Sequence, residues 1–270
     1  MPYEKRISRR NPGLIVLVVD DSPSQQDSMP GTSDAKFKYV ERDCGLILKE
    51  LLARCTEVKD DAVVIKPRYY FYIIIYGGTA QTWGTGEMDI EKVVEKYAAD
   101  GNSLGLGGHI SATDTRLAFE KALQYLRGAV QDERFKDSFP PMLLHLTDGE
   151  SQTDASPIAR QIMDLEVKDG NVLILNAYIG TQTDLAYSGP EDFPGYTQRD
   201  EVGFSEDNLR LFEMSSVVPE CIRGNLIEDG IFPQLREGAR LFFDVRTKDM
   251  LKHAIQSVGS IGSRTEKLLR

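Results

Sequence analysis

The chain has 270 residues, of which 41% are hydrophobic and 27% are charged, and it carries a formal net charge of −10. These proportions are typical of a globular protein, and the length suffices for one large α/β domain or two small ones. The acidic balance argues against a nucleic-acid partner, because phosphate binding depends on clustered lysine and arginine. No apolar run approaches the roughly 20 residues of a membrane-spanning helix, so we expect no membrane partner.

The N-terminus and the cysteines indicate the compartment. Residues 1–12 are polar and basic and lack the apolar core of a secretory signal, so we read them as a basic extension. Three cysteines do not suggest a disulfide framework. Cys44 and Cys55 fall on one predicted helix face about 16 Å apart, which is too far to bridge. We therefore expect a cytoplasmic protein with free thiols.

The first half of the chain alternates predicted strands and helices. Residues 14–19 are a Val- and Ile-rich run that indicates a fully buried strand. Apolar residues at helical spacing predict a helix over 34–55. Residues 69–76 favour a strand that two glycines stop, and 79–83 predict a short edge strand. A short helix is expected over 90–97.

The next segments continue the alternation. The glycine-rich residues 101–108 indicate a loop, and a helix is predicted over 115–130. A second buried strand is expected over 142–148. Another helix follows over 155–167, and then a strand over 171–179.

The last third predicts two helices, a strand and a closing helix, over 207–217, 219–226, 239–245 and 248–258. We expect residues 259–270 to be a flexible C-terminal tail. Alternating strands and helices predict an α/β fold with a Rossmann-like, doubly wound, mostly parallel sheet flanked by helices on both faces.

Three oxygen-bearing side chains follow the first predicted strand on alternate residues: Asp20, Ser22 and Ser24. Functional groups of such sheets gather at the carboxyl ends of the strands. One carboxylate and two hydroxyls are hard oxygen ligands, which suit Mg²⁺, Mn²⁺ or Ca²⁺ rather than zinc.

Two further segments carry oxygen donors. Thr113 precedes an apolar helical pattern, and Asp148 ends the buried strand Met142-Leu143-Leu144-His145-Leu146-Thr147. Together with Asp-x-Ser-x-Ser, these segments resemble, in order and rough spacing, the metal-ion-dependent adhesion site (MIDAS) of von Willebrand factor A (vWA) domains. The resemblance implies that Asp20, Ser22, Ser24, Thr113 and Asp148 hold the ion, with a vWA domain over 13–258.

The resemblance also implies a function. Two carboxylates facing a divalent ion leave it able to accept an Asp or Glu from a protein partner, so we expect a metal-dependent protein–protein interaction module. The chain further resembles a bacterial intracellular branch of TerY-like proteins associated with tellurite resistance. That likeness implies a stress-response or signalling system with a protein kinase or phosphatase as partner.

Some positions depart from the family pattern. Pro23 stands where the family usually has glycine, and Ser111 and Ala112 replace the usual glycine pair, which leaves Thr115 as an alternative to Thr113. Asp21 is expected to be solvated or to lie just outside the ligand set. The long segment 180–208, with its four aromatic residues, is expected either to border the site and select the partner or to be a surface insertion.

Two other functions stay open. A metal-dependent hydrolase or phosphatase would use Asp20 as nucleophile, but His109 and His253 have no evident catalytic partner and His145 is expected in the core. Residues 17–23 also resemble the first strand and acidic pair of a phospho-accepting receiver domain. The next clear strand ends at Tyr76 without a carboxylate, which disfavours that reading. We expect a binding module rather than an enzyme.

Overall fold

A computed structural model of the chain describes residues 2–60, 62–149, 151–180, 187–203 and 205–262. The strands are β1 (Gly13–Asp20), β2 (Thr56–Lys59), β3 (Ala62–Ile65), β4 (Tyr69–Tyr76), β5 (Ala80–Asp89), β6 (Met142–Thr147), β7 (Glu166–Val167), β8 (Gly170–Asn171), β9 (Leu173–Ile179) and β10 (Phe242–Val245). The helices are α1 (Lys36–Cys55), α2 (Ile90–Ala99), α3 (Thr115–Ala129), α4 (Ser156–Met163), α5 (Glu206–Glu213), α6 (Glu220–Glu228) and α7 (Lys248–Ile261).

Six strands form the central sheet in the order β10-β9-β6-β1-β4-β5. Strand β1 pairs in parallel with both β4 and β6, and β9 pairs in parallel with both β6 and β10. Among the described strands of this sheet, only β5 pairs antiparallel, with β4. Because β1 and β6 are central neighbours running in the same direction, their carboxyl ends meet at one edge of the sheet.

Both faces of the sheet are covered, because alternate residues of β1 enter two different cores. Ile15, Leu17 and Val19 pack in a cluster with α1, α2 and α7. Leu14, Val16 and Val18 pack with α3 and α4 on the other face. A strand buried on both sides explains the unbroken apolar run in the sequence. The predicted fold class, a mostly parallel sheet between two helical layers, is confirmed.

Several boundaries differ from the sequence-based predictions. Helix α4 ends at Met163, and the short hairpin β7–β8 replaces the rest of the predicted helix. The hairpin β2–β3 was not predicted. Strand β5 continues through Gly84 and Gly86, which adopt positive φ angles in an edge strand whose pairing with β4 is irregular. Glycines therefore mark a distortion here rather than the end of the strand.

Both termini of the described chain pack on the domain. The buried side chain of Ile7 lies against Gly13 and Gly262, and its N–H donates to the carbonyl of Gly262 at 3.0 Å. Helix α7 continues to Ile261, so residues 259–261 are helical and buried, which corrects the predicted start of a flexible tail at 259. Residues 263–270 lie outside the described part. No described helix combines the length and the hydropathy needed to cross a bilayer.

Candidate metal centre

The candidate site lies where β1 and β6 end side by side. Val19 pairs with Leu146, which places Asp20 beside Thr147. The Thr147 hydroxyl donates to Asp20 Oδ2 at 2.8 Å, and Asp148 follows directly. The sheet topology therefore brings the two predicted carboxylates to one place although 128 positions separate them in the sequence.

The turn after β1 carries the two predicted serines. The backbone N–H of Ser22 donates to Asp20 Oδ1 at 2.9 Å, and the hydroxyls of Ser22 and Ser24 lie 3.1 Å apart. Pro23 begins a short 3-10 turn (Pro23–Gln26), where proline fits because the first residues of a helical turn need no N–H partner within it. The replacement of the family's glycine is therefore compatible with the turn.

Thr113 approaches from the loop before α3. Its side chain is buried, and together with Ser24 and Asp207 it lines a surface cavity of about 390 Å³. The alternative ligand, Thr115, is the first residue of α3, and its hydroxyl lies 3.3 Å from the hydroxyl of the buried Tyr76. Of the two threonines, Thr113 lines the same cavity as Ser24, and Thr115 does not.

Burial and like charge shape the electrostatics of the site. Burial, followed by the proximity of the Asp148 carboxylate, raises the pKa of Asp20 to about 7. Hydrogen bonds from Ser22 and Thr147 act in the opposite direction but do not offset the burial. A divalent cation bound beside Asp20 would favour the ionised form of this carboxyl group.

The two oxygens of Asp148 have different surroundings. Oδ2 lies 3.0 Å from Nζ of Lys36, and both side chains are almost completely buried. Oδ1 is also buried and has no hydrogen-bond partner in the described part of the chain. A buried carboxylate oxygen without a partner is costly, and a bound cation would satisfy it.

Lys36 was not predicted to lie at the site. It lies at the first position of α1, where a lysine is ordinarily solvated. One pattern was available: Lys36, Val40, Cys44, Ile47 and Leu51 follow helical spacing, and all five are buried on the same face of α1. A lysine on a buried stripe needs an anion, and Asp148 is that anion.

Asp21 is not solvated, which leaves the other expectation, a position just outside the ligand set. It is buried, and its Oδ1 accepts the backbone N–H groups of Gly107 and Gly108 at 2.7 and 2.6 Å. Glu41 holds the preceding part of the same loop, accepting N–H groups from Leu104 and Leu106. These carboxylates fix the glycine-rich loop against β1 and α1, and they are consequently engaged elsewhere than at the candidate site.

A buried polar chain runs through the sheet below the site. His145, in the core as predicted, lies 2.8 Å from the Tyr76 hydroxyl through Nε2 and 2.8 Å from Asn176 Oδ1 through Nδ1. Burial lowers the pKa of His145 to about 4, so the ring is neutral at physiological pH. Asn176 donates in turn to the Ser215 hydroxyl at 2.9 Å. The histidine is thus a satisfied core residue.

The segment 180–208, which follows β9, lies partly in the core and partly beside the candidate site. Tyr187, Phe193 and Tyr196 pack into the core, with Phe193 against Phe232 and the Tyr187 hydroxyl donating to the carbonyl of Asp244. Residues 181–186 and 204 lie outside the described part of the chain. The fourth aromatic residue of the segment, Phe204, is one of them. Asp207, at the end of this segment, does line the cavity beside Thr113.

The donor set is chemically suited to a hard divalent ion. The site offers three hydroxyls and two carboxylates, and one oxygen of the Asp148 carboxylate has no partner among the described residues. Within the described ranges, no group of three or more His, Cys, Asp or Glu side chains is arranged to hold a metal. Any ion at this site therefore depends on the hydroxyls of Ser22, Ser24 and Thr113 as well as on carboxylates, as Mg²⁺ and Mn²⁺ allow.

Comparisons with known proteins give distant likenesses. No protein-family model matches the chain, and no curated protein matches it. An aerotolerance-related membrane protein from Bacteroides fragilis NCTC 9343, carrying multiple mutations to serines, is similar with a TM-score of 0.48 and 12% identity, over 91% of this chain and 98% of that one.

Two further solved structures are similar over part of the chain. A von Willebrand factor type A structure from Catenulispora acidiphila has a TM-score of 0.41 and 14% identity, over 63% of this chain and 33% of that one. BatB from Bacteroides thetaiotaomicron, a conserved hypothetical protein, has a TM-score of 0.41 and 14% identity, over 61% of this chain and 65% of that one. Solved structures similar to this chain thus include a vWA protein, and at these values none of the likenesses bears on function.

Proposed function

We propose that this chain is a metal-ion-dependent protein-interaction module of the vWA type. Asp20, Ser22, Ser24, Thr113 and Asp148 would hold Mg²⁺, or Mn²⁺ or Ca²⁺ in its place. The observation that carries the proposal is the buried, unpartnered Oδ1 of Asp148 beside a second carboxyl group, Asp20, whose pKa is raised to about 7. Lys36 contacts only the other oxygen of Asp148, so a divalent ion on Oδ1 would satisfy that oxygen and favour the ionised form of Asp20.

Residues around the site hold the proposed ligands and the neighbouring loop in position. Thr147 donates to Asp20 and orients its carboxylate, while the Ser22 N–H fixes the other oxygen of the same group. Asp21 anchors the glycine loop that precedes Thr113. A divalent ion bound there would supply positive charge and an open coordination position. The cavity beside Ser24 and Thr113 is then the approach route for a partner's Asp or Glu side chain.

The partner and setting follow from the sequence resemblance to TerY-like proteins. We propose a protein partner that supplies the carboxylate, with a protein kinase or phosphatase of the same bacterial stress-response or signalling system as the first candidate. A cytoplasmic location accompanies this proposal. It is carried by the motif resemblance and holds less weight than the site itself.

A hydrolase or phosphatase is the second candidate function. Against it, His145 has both ring nitrogens engaged by Tyr76 and Asn176, so it is not free to act as a general base for Asp20. Steady turnover of a phosphoester by the purified protein, abolished by Asp20→Ala, would favour the enzyme. Stable labelling by acetyl phosphate would instead indicate a receiver-like role.

The test of the proposal is ion binding followed by partner capture. Titrating Mg²⁺ and Mn²⁺ should raise the melting temperature of the wild type, because a ligand that binds the folded state alone stabilises it. Asp148→Ala should abolish the rise, while the control Asp100→Ala, at an exposed position paired with Lys96, should retain it. Equal rises in wild type and Asp148→Ala would reject the site. Partner capture on immobilised protein should then be lost with chelator.

A further inference from the structure

Lys36 is an ion-paired lysine in the interior of the candidate site. Its residue exposure is 2%, and its Nζ lies 3.0 Å from Asp148 Oδ2. Burying an ammonium group is costly, and a position at the start of a helix adds repulsion from the positive end of the helix dipole. Lys36 is consequently held in place by its attraction to Asp148.

The Lys36 ammonium group contacts one of the two oxygens of the Asp148 carboxylate. Asp148 Oδ2 faces Lys36, whereas Oδ1 is buried without a partner. A cation on Oδ1 would share the carboxylate with Lys36 and would lie close enough to feel its charge. The two carboxylates and one ammonium group together carry one negative charge, rather than the two that Asp20 and Asp148 alone would present to a divalent ion.

We infer that Lys36 is a built-in second cation of this site, which weakens the affinity for divalent ions by competing for the charge of Asp148. The inference rests on the proposed function, since it presumes that an ion enters the site. It goes beyond the ligand set by assigning control of ion affinity to a residue outside it. With a divalent ion bound, the two carboxylates and the Lys36 ammonium group give the site one net positive charge, which would attract an anionic partner.

The experiment measures Mn²⁺ affinity on the full chain with Mn²⁺ alone as the probe. Electron paramagnetic resonance of free Mn²⁺ gives the dissociation constant for wild type, Lys36→Met, Lys36→Arg and Lys38→Met. Methionine removes the charge at similar length, and arginine keeps the charge. Lys38 is the matched control because it lies in the same turn of α1 but is exposed and paired with Asp34.

Removal of the Lys36 charge should tighten Mn²⁺ binding about tenfold or more, because like charges that share one buried carboxylate repel strongly at low dielectric. Lys36→Arg should stay close to the wild-type affinity, and Lys38→Met should change it by less than about twofold, as expected for an exposed charge. Should Lys36→Met fail to fold without the ion, Lys36→Gln removes the charge while keeping a donor for Asp148.

Each outcome decides the inference. Tighter binding by the uncharged variants supports it, and equal or weaker binding with a wild type that binds Mn²⁺ overturns it while leaving the proposed function intact. Binding by Lys36→Met but not by the wild type supports the competition and overturns the proposed function. Absence of binding in both proteins overturns both.

Discussion

The clearest energetic consequence of the site concerns Asp20 in ion-free protein. Its pKa is about 7 in the folded protein against an ordinary value of 3.8, with burial as the main cause and Asp148 as the second. The folded state therefore keeps a proton that the unfolded chain releases. The contribution of Asp20 to stability in chelator is therefore fully present below about pH 4 and is lost as the pH rises from there through about 7. Asp20→Asn should remove the destabilisation that comes from ionising this buried carboxyl group.

The magnitude follows from the separation of the two pKa values. At about 1.4 kcal/mol for each pH unit between them, the full penalty above pH 7 is about 4 kcal/mol. Asparagine keeps an oxygen to accept from the Ser22 N–H, and the Thr147 hydroxyl can rotate to accept from the new amide. We therefore expect Asp20→Asn to be about 2–4 kcal/mol more stable than wild type at pH 8 in chelator.

Urea unfolding at pH 4.5 and pH 8 in chelator measures this difference directly. The adjacent Asp21→Asn is the control: Asp21 is equally buried but accepts two backbone N–H groups from the glycine loop, so its neutralisation should destabilise the protein by about 1–3 kcal/mol at pH 8. Equal stability of wild type and Asp20→Asn at pH 8, or a difference that does not grow between the two pH values, would refute the reasoning.

Three further predictions concern the core, the polar chain and the turn. Phe193→Ala should lower the free energy of unfolding by about 3–5 kcal/mol in urea titrations without changing Mn²⁺ affinity, because this ring is fully buried away from the ligands. The His145 ring should remain neutral in NMR titrations down to about pH 4, and a midpoint near its ordinary value of 6.5 would contradict its placement. Ser24→Ala should weaken Mn²⁺ binding several-fold in calorimetry, because it removes one of the proposed hydroxyl ligands. The free energy of unfolding in chelator should change little, because the Ser24 side chain is half-buried and its hydroxyl contacts that of Ser22.

The sequence predicted the layered sheet because β1 and β6 are unbroken apolar runs. Such runs indicate strands covered on both faces, and two of them ending in Asp20 and near Asp148 place polar groups at one sheet edge. The hairpin β2–β3 escaped prediction because Val58 and Val63 are exposed rather than packed in a core, so hydrophobic periodicity had no buried face to detect.

Contacts between residues that are distant in the sequence could not be predicted from local patterns. No residue near Lys36 indicates that its partner is Asp148, because the two lie 112 positions apart and meet only when α1 packs on the sheet. Asp21 likewise gives no sign of the glycine loop that it holds across 86 positions. The aromatic residues after β9 were ambiguous for the same reason, since Phe193 could be assigned to the core only once its contact with Phe232 was known.

The most direct test of the account is the position of Mn²⁺ in a crystal of the full chain. An anomalous difference map should place one peak among Asp20, Ser22, Ser24, Thr113 and Asp148, with Oδ1 of Asp148 turned toward it. A map from a Mn²⁺-soaked crystal with no peak there, and with Lys36 as the sole cation on Asp148, would contradict the claim that these side chains form a metal centre.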